Sequence, residues 1–323
     1  MVRQSELYDI TVVGAGPVGL YAAYYSGLRE CKTKIIEMYP HVGGRLISMY
    51  PEKEIFDVAG HLRIVAEDLI SELTAQAMQY GPTVVLDERV CGLRVLDERL
   101  IELTTQNGAT HYTQAVVLTV GAGTALPRKL DVPNLISLEG NGIHYFLPAF
   151  EPLRGHRVLV VGGGNSAVDW AMALEHVASE VTLLNRSYTW TAHEAMVEKL
   201  LSSRVKVRYP YYGLKAVLGD DRVTGAVIWN EKSGLEETIE VDDIVLSIGM
   251  LANIEPFRQW GLDIEGGGIK VHTDMSTNLP GIFAAGDIVT YHGKIQLIAA
   301  GAGEAATAIH SAKEFILEGT LGR

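Results

Sequence analysis

A strand, a glycine-rich turn and a helix follow one another twice in this chain, and that repetition limits its fold more than any other feature. Ile10-Thr11-Val12-Val13 is a short β-branched run, followed directly by Gly14-Ala15-Gly16-Pro17-Val18-Gly19. An apolar helical segment, Leu20 to Leu28, comes next, and a second strand, Lys34-Ile35-Ile36-Glu37, closes the unit. Gly14 permits a tight turn, Gly16 lets the backbone approach a pyrophosphate, and Gly19 lets the helix pack close to the sheet. The helix N-terminus then presents free N–H groups and the positive end of its dipole to the phosphates. Glu37 ends the second strand, where a carboxylate can accept from a ribose hydroxyl. The second unit is Arg157–Val161, then Gly162-Gly163-Gly164-Asn165-Ser166-Ala167, a helix over Val168–His176, and a strand Glu180–Leu184. Ala167 is an allowed third position of the fingerprint. The second unit ends in Asn185-Arg186 where the first has an acid, and a cation there suits a 2′-phosphate better than a free ribose. Two such units predict an α/β protein with two nucleotide sites and exclude dehydrogenases built on one.

The remaining segments place the boundaries. Val84–Leu103 and Lys206–Val245 alternate short strands with turns, as small meanders do. Val116–Gly123 and Ile244–Gly249 are strands running into glycine turns and predict the two crossings between domains. Gly281–Asp287 is a strand ending in Gly-Asp, and Leu297–Ile316 reads as a final helix. The expected first domain is 1–122 with 250–323, split by a second domain over 123–249. With 27 Lys plus Arg against 39 Asp plus Glu, the net charge is −12, which repels phosphate backbones and excludes nucleic acid as a partner. The two cysteines, Cys31 and Cys91, cannot build a disulfide framework or a Cys-rich metal site, and no metal is expected. No apolar run is long enough for a membrane span, and Met1–Glu6 lacks the apolar core of a signal peptide. A cytoplasmic protein is the expectation.

The stretch Tyr50-Pro51-Glu52-Lys53-Glu54-Ile55-Phe56-Asp57-Val58-Ala59-Gly60 is similar to the Tyr-Pro-Glu-Lys…Asp-Val-Ala-Gly segment of the thioredoxin reductase-like ferredoxin/flavodoxin–NADP reductases. Gly162–Trp170 and Gly286-Asp287-Ile288-Val289-Thr290-Tyr291 match as well, so nearly the whole chain resembles the thioredoxin reductase superfamily. The resemblance implies two doubly wound Rossmann-type domains, an FAD-binding one and a pyridine-nucleotide one inserted in it, and a homodimer. It implies that FAD is held by Gly14, Gly16, Pro17, Gly19, Glu37, Gly44, Arg45, Tyr50, Asp57, Val90, Gly121, Gly286 and Asp287. Within that set Glu37 would hold the adenosine ribose, Tyr50 would stack on the flavin, Val90 would meet the adenine by its backbone and Asp287 would bind the ribityl chain. Gly162, Gly164, Asn165, Ser166, Arg186, Tyr188 and Trp190 would serve the second nucleotide. No side chain is expected to be catalytic, because the flavin carries the chemistry.

The chain also departs from that family. Thioredoxin reductases carry Cys-x-x-Cys just before the second glycine turn, and Tyr145-Phe146-Leu147-Pro148-Ala149 stands there instead, so no dithiol relay is expected. With Cys31 in the turn after the first helix and Cys91 in an expected strand, the two read as one exposed and one packed thiol. Of the family's three NADP-binding cations only Arg186 remains, in Asn185-Arg186-Ser187-Tyr188-Thr189-Trp190-Thr191. A small preference for NADPH over NADH follows, about tenfold. Tyr188 and Trp190 would stack on a ring of the ligand or pack at a surface. Arg45 replaces a glutamine; it would favour an anionic reduced flavin or pair with Glu52 or Glu54 at the surface. The family's C-terminal extension is not seen beyond Gly319–Arg323, so the outer flavin face would be open or covered by another element. The leading expectation is an FAD-dependent oxidoreductase that passes electrons between NADPH or NADH and an acceptor: ferredoxin, flavodoxin or a small molecule. The alternatives are an NADPH-independent flavoenzyme with a second FAD in the second site, and a non-catalytic flavin-binding sensor.

Overall fold

Long runs of Val, Ile and Leu have no polar face to turn to solvent, so they form parallel strands covered on both sides by helices. The computed structural model describes residues 6–121, 123, 126–251 and 253–321. The N-terminal residues 1–5, Ala122 in the outward crossing, and Gly322 and Arg323 lie outside the described residues. The chain divides into one unit of Met1–Ala125 with Ala252–Arg323 and a second of Leu126–Leu251.

In the first unit four strands run parallel in the order Thr83–Val85, Thr33–Ile36, Leu7–Val13 and Thr110–Leu118. Ile282–Ala284 adds parallel to the C-terminal half of Thr110–Leu118, whose other half begins an antiparallel meander with Leu100–Thr105 and Val90–Asp97. Ile10, Val12, Val116 and Val117 are wholly buried at the centre. The helices Pro17–Leu28 and Ile298–Leu321 pack together, and small residues make that possible. Ala305, Ala308 and Ala312 of the last helix are fully buried. A methyl on Gly301 would come within 2.5 Å of Val18 Cγ2.

The second unit has its own parallel sheet, in the order Ile143–His144, Asp243–Leu246, Arg157–Val161, Glu180–Leu184 and Lys206–Arg208. A three-stranded antiparallel meander follows: Tyr212–Leu218, Gly225–Asn230 and Glu236–Glu240. The expected fold class is therefore observed: two doubly wound α/β units, the second interrupting the first.

Helix limits differ from the sequence reading. The first helix starts at Pro17, not Leu20, and the second spans Asn165–Leu174, not Val168–His176. Each follows its glycine turn without a spacer, since a helix that opens at the turn can aim its first N–H groups at a ligand. Glu37 lies just past the strand Thr33–Ile36. The last helix continues to Leu321.

Candidate functional site

The two glycine turns share one construction. Gly14 and Gly162 have φ of 101° and 151°. A Cβ on Gly14 would lie 2.7 Å from the Thr119 carbonyl oxygen, and one on Gly162 would lie 2.2 Å from that of Ser247. Both oxygens belong to residues just past the neighbouring parallel strand, so these glycines are required by backbone packing. Gly19 is tighter still: a methyl there would lie only 1.9 Å from Gly14 O. Gly16 is the opposite case: a methyl on it would meet nothing within 4 Å. At Gly164 the one neighbour within that range is Thr191 Oγ1, at 3.4 Å. Gly16 and Gly164 are also the N-caps of their helices, and neither helix has a side-chain cap. An open backbone face beside uncapped N–H groups suits a diphosphate.

Around the first turn the fold gathers distant residues. Gly43 N donates to Ala15 O at 2.8 Å, and Gly44 lies against Gly16, with 3.2 Å from its would-be Cβ to Gly16 Cα. Glu37 is buried, and its carboxylate accepts from Ala15 N at 2.6 Å and Tyr39 N at 3.0 Å. It thus braces the turn, while lone pairs remain for a hydroxyl. Glu88 N donates to Glu37 O, which brings the strand start at Val90 to the same edge. Arg45 Nη2 stands 3.5 Å from Asp287 Oδ2. It would lie 3.6 Å from a Cβ on Gly121. The sequence alternative of a surface pairing with Glu52 or Glu54 is corrected here: the Arg45 ion pair is to Asp287, and Glu54 pairs with Arg63. Arg45, Gly121 and Asp287 therefore meet at the carboxyl ends of neighbouring parallel strands, where open α/β sheets receive ligands.

Two further expected residues lie on the segment that follows Gly44. Tyr50 follows the short helix Gly44–Met49 and packs, partly buried, against the group containing Ala15, Leu20 and Leu46. Asp57 is exposed in the loop after Glu54–Ile55.

The sequence reading missed two residues. The Thr119 hydroxyl lies 2.9 Å from Gly14 O and 3.1 Å from Val13 O, and so fastens the turn to the next strand. Glu304 is buried in the last helix and accepts from Gly286 N at 2.8 Å, Tyr291 Oη at 2.6 Å and Lys294 Nζ at 2.6 Å. The Glu304 hydrogen bond, with burial adding to it, pushes the Tyr291 phenol up to about 12, so it stays a proton donor. A signal was present: Glu304 is the one charge in Ile298–Ile309, otherwise Ala, Gly, Ile and Thr.

Around the second turn, the segment after Glu180–Leu184 folds back over the glycines. Thr191 N donates to Gly163 O at 3.0 Å, and His193 N donates to Asn165 Oδ1 at 2.8 Å. Asn185 is buried beneath Gly163. Its Oδ1 accepts from Ser187 N, and its Nδ2 has no partner among the described residues. Ser166 is exposed at the turn. Arg186 is 72% exposed, with Nε 3.9 Å from Glu231 Oε1. Tyr188 is 72% exposed. Trp190 stands edge-to-face on Tyr209, ring centroids 5.3 Å apart.

The two thiols are placed the other way round from the sequence expectation: Cys31 is buried and Cys91 exposed, and both are free. Burial pushes the Cys31 thiol up, which keeps it protonated and unreactive. Changing both to serine is expected to leave flavin reduction and reoxidation rates unaltered. Lost turnover in a double variant that still binds flavin would point to a thiol relay. Among the described residues no group of three or more His, Cys, Asp or Glu could hold a metal ion. Among the described residues no helix is long and apolar enough to cross a membrane.

Two doubly wound units, each with a braced glycine turn and an open diphosphate cradle, define a two-dinucleotide oxidoreductase. The family model described as "Pyridine nucleotide-disulphide oxidoreductase" matches residues 8–305, and the chain belongs to that family. It is 45% identical over 317 residues to "Ferredoxin--NADP reductase 2" of Shouchella clausii, covering 98% of this chain and 96% of the relative. It is 43% identical over 316 residues to "Ferredoxin--NADP reductase" of Geobacillus thermodenitrificans, covering 98% and 95%. Among solved structures, thioredoxin reductase of Lactococcus lactis superposes with a TM-score of 0.85 at 25% identity, covering 96% of this chain and 99% of that one. Thioredoxin reductase of T. acidophilum gives 0.86 at 23% identity over the same shares, a likeness of fold.

Proposed function

We propose that this protein is an FAD-dependent oxidoreductase that passes electrons between a pyridine nucleotide in the second unit and an external acceptor of the ferredoxin or flavodoxin type. The observation that carries this reading is the near full-length likeness to ferredoxin–NADP reductases in a chain with no dithiol at Tyr145–Ala149. Without that dithiol, electrons leave the flavin for a separate carrier. FAD, when bound, supplies the relay between two-electron and one-electron chemistry. In this reading Gly16 and the N-terminus of Pro17–Leu28 receive its diphosphate, Glu37 takes the adenosine ribose and Asp287 the ribityl chain. Arg45 stands beside Gly121, and its cation would favour a reduced, anionic ring. Tyr50 would lie on the flavin, Val90 at the adenine, and Gly164 with Arg186 would receive the second nucleotide. A homodimer in the cytoplasm is part of the proposal.

Purified protein is expected to carry one FAD per chain. Mixed anaerobically with NADPH or NADH, it should bleach the flavin band and then reduce added ferredoxin. Two FAD per chain, with neither nucleotide reducing the flavin, would replace this reading with the diflavin one.

A further inference from the structure

We infer that Glu231, together with Arg186, sets how the second site discriminates between NADPH and NADH. This rests on reading that site as the one for a pyridine nucleotide. In a Rossmann unit the adenosine ribose comes to the end of the second strand, and an acid there binds the free 2′-hydroxyl. Here that strand, Glu180–Leu184, leads into Asn185. Asn185 offers no acid there, and its side chain is buried beneath Gly163 with Oδ1 accepting from Ser187 N. A carboxylate arrives from another element instead. Arg186 O accepts from Tyr211 N at 3.0 Å, and Tyr211 O accepts from Glu231 N at 2.9 Å. This backbone ladder sets the turn after Gly225–Asn230 beside Arg186, and Glu231 Oε1 stands 3.9 Å from Arg186 Nε. Tyr211, the middle rung, has a φ of 72°, a conformation side chains rarely adopt and one that its surroundings must hold.

The pair acts in two directions. Arg186 is exposed and loosely held, so it is free to take a 2′-phosphate. Such a phosphate carries close to two negative charges and would lie within the field of Glu231. A free 2′-hydroxyl can instead donate to Glu231. The neighbouring cations have loose partners of their own: Arg208 Nη2 lies 3.8 Å from Glu237 Oε1, and Lys232 Nζ sits 5.3 Å from the Tyr211 ring centre. Glu231 is thus a brake on NADPH preference supplied from outside the usual strand end.

The test measures kcat/KM for NADPH and NADH in the wild type, Glu231→Gln and Arg186→Ala. It also measures binding of 2′,5′-ADP and 5′-AMP to each holoprotein by calorimetry. The wild-type ratio is expected within about tenfold of unity, and Glu231→Gln should raise it in favour of NADPH by about tenfold, or about 1.4 kcal/mol. The gain should fall in the KM for NADPH and appear as tighter 2′,5′-ADP binding with 5′-AMP not improved. Arg186→Ala should shift the ratio the other way. If Arg186→Ala moves the ratio and Glu231→Gln does not, the inference fails while the second site stands. A wild-type preference for NADPH above a thousandfold also overturns it, since other cations must then reach the phosphate. If neither adenosine fragment binds, the reading of the second site fails and the inference with it.

Discussion

Replacing Gly16 by valine is expected to give a folded protein without flavin, whereas replacing Gly19 by valine should prevent the first unit from folding. The two glycines stand three positions apart in one turn, yet their surroundings are opposite. A methyl on Gly16 meets no atom within 4 Å, so the fold tolerates the side chain. The isopropyl group would fill the space that the diphosphate needs, and affinity should fall beyond detection, a loss of several kcal/mol. A methyl on Gly19 would lie 1.9 Å from Gly14 O and 2.7 Å from Thr119 Oγ1. The helix Pro17–Leu28 would have to leave the sheet, at a cost comparable to the whole stability of a domain, about 5–15 kcal/mol. Far-UV circular dichroism and bound flavin, measured on both variants, separate the two roles. A yellow Gly16→Val protein at full occupancy would remove the turn from the cofactor site. A well-folded Gly19→Val protein would show that the helix can stand further from the sheet than this packing requires.

The second large effect is expected at Glu304. Its side chain is 5% exposed and that of Lys294 is 10% exposed, so the ion pair is largely out of water. Removing one partner of a buried pair strands the other, at about 3–5 kcal/mol. Glu304→Ala should therefore lower the melting temperature by about 10 °C, taking the usual 2–4 °C per kcal/mol for a unit of this size. It also frees Gly286 N and the Tyr291 hydroxyl, which hold the turn carrying Asp287, so flavin should be lost more readily. Glu304→Gln keeps an acceptor for Gly286 N and should lie between the wild type and Glu304→Ala in both respects. Melting and flavin release are followed together on heating. A Glu304→Ala protein that melts with the wild type and keeps its flavin would reduce this network to a surface feature.

How far each feature could be read from the chain depends on how far apart its parts are. The two glycine turns were legible because a strand, a tight turn and a helix start are all set within about ten residues by backbone sterics and hydrophobic pattern. The doubly wound class followed, since two such units with apolar strands have few other ways to cover both faces of a sheet. The extra strand Ile282–Ala284 and its Gly-Asp end were legible for the same reason. Which glycine serves packing and which stands open was not, because that depends on Thr119 and Ser247 arriving from other strands.

What only the tertiary structure decided are the long-range pairs. Arg45 and Asp287 are 242 residues apart, and no local pattern says that they meet rather than Arg45 pairing nearby. Glu304 stands alone among small uncharged residues in the chain, and only the fold puts Gly286 N, Tyr291 and Lys294 around it. Trp190 meets Tyr209, a contact between segments that no local pattern announces. Asn185 ends its strand in the place of an acid, but only the fold shows its amide turned under Gly163 and Glu231 standing beside Arg186. Local sterics and hydrophobic period act over a few residues and are written in the order of the chain. Charge pairing and burial act through space, and the partner is chosen only once the sheet has brought its strand ends together.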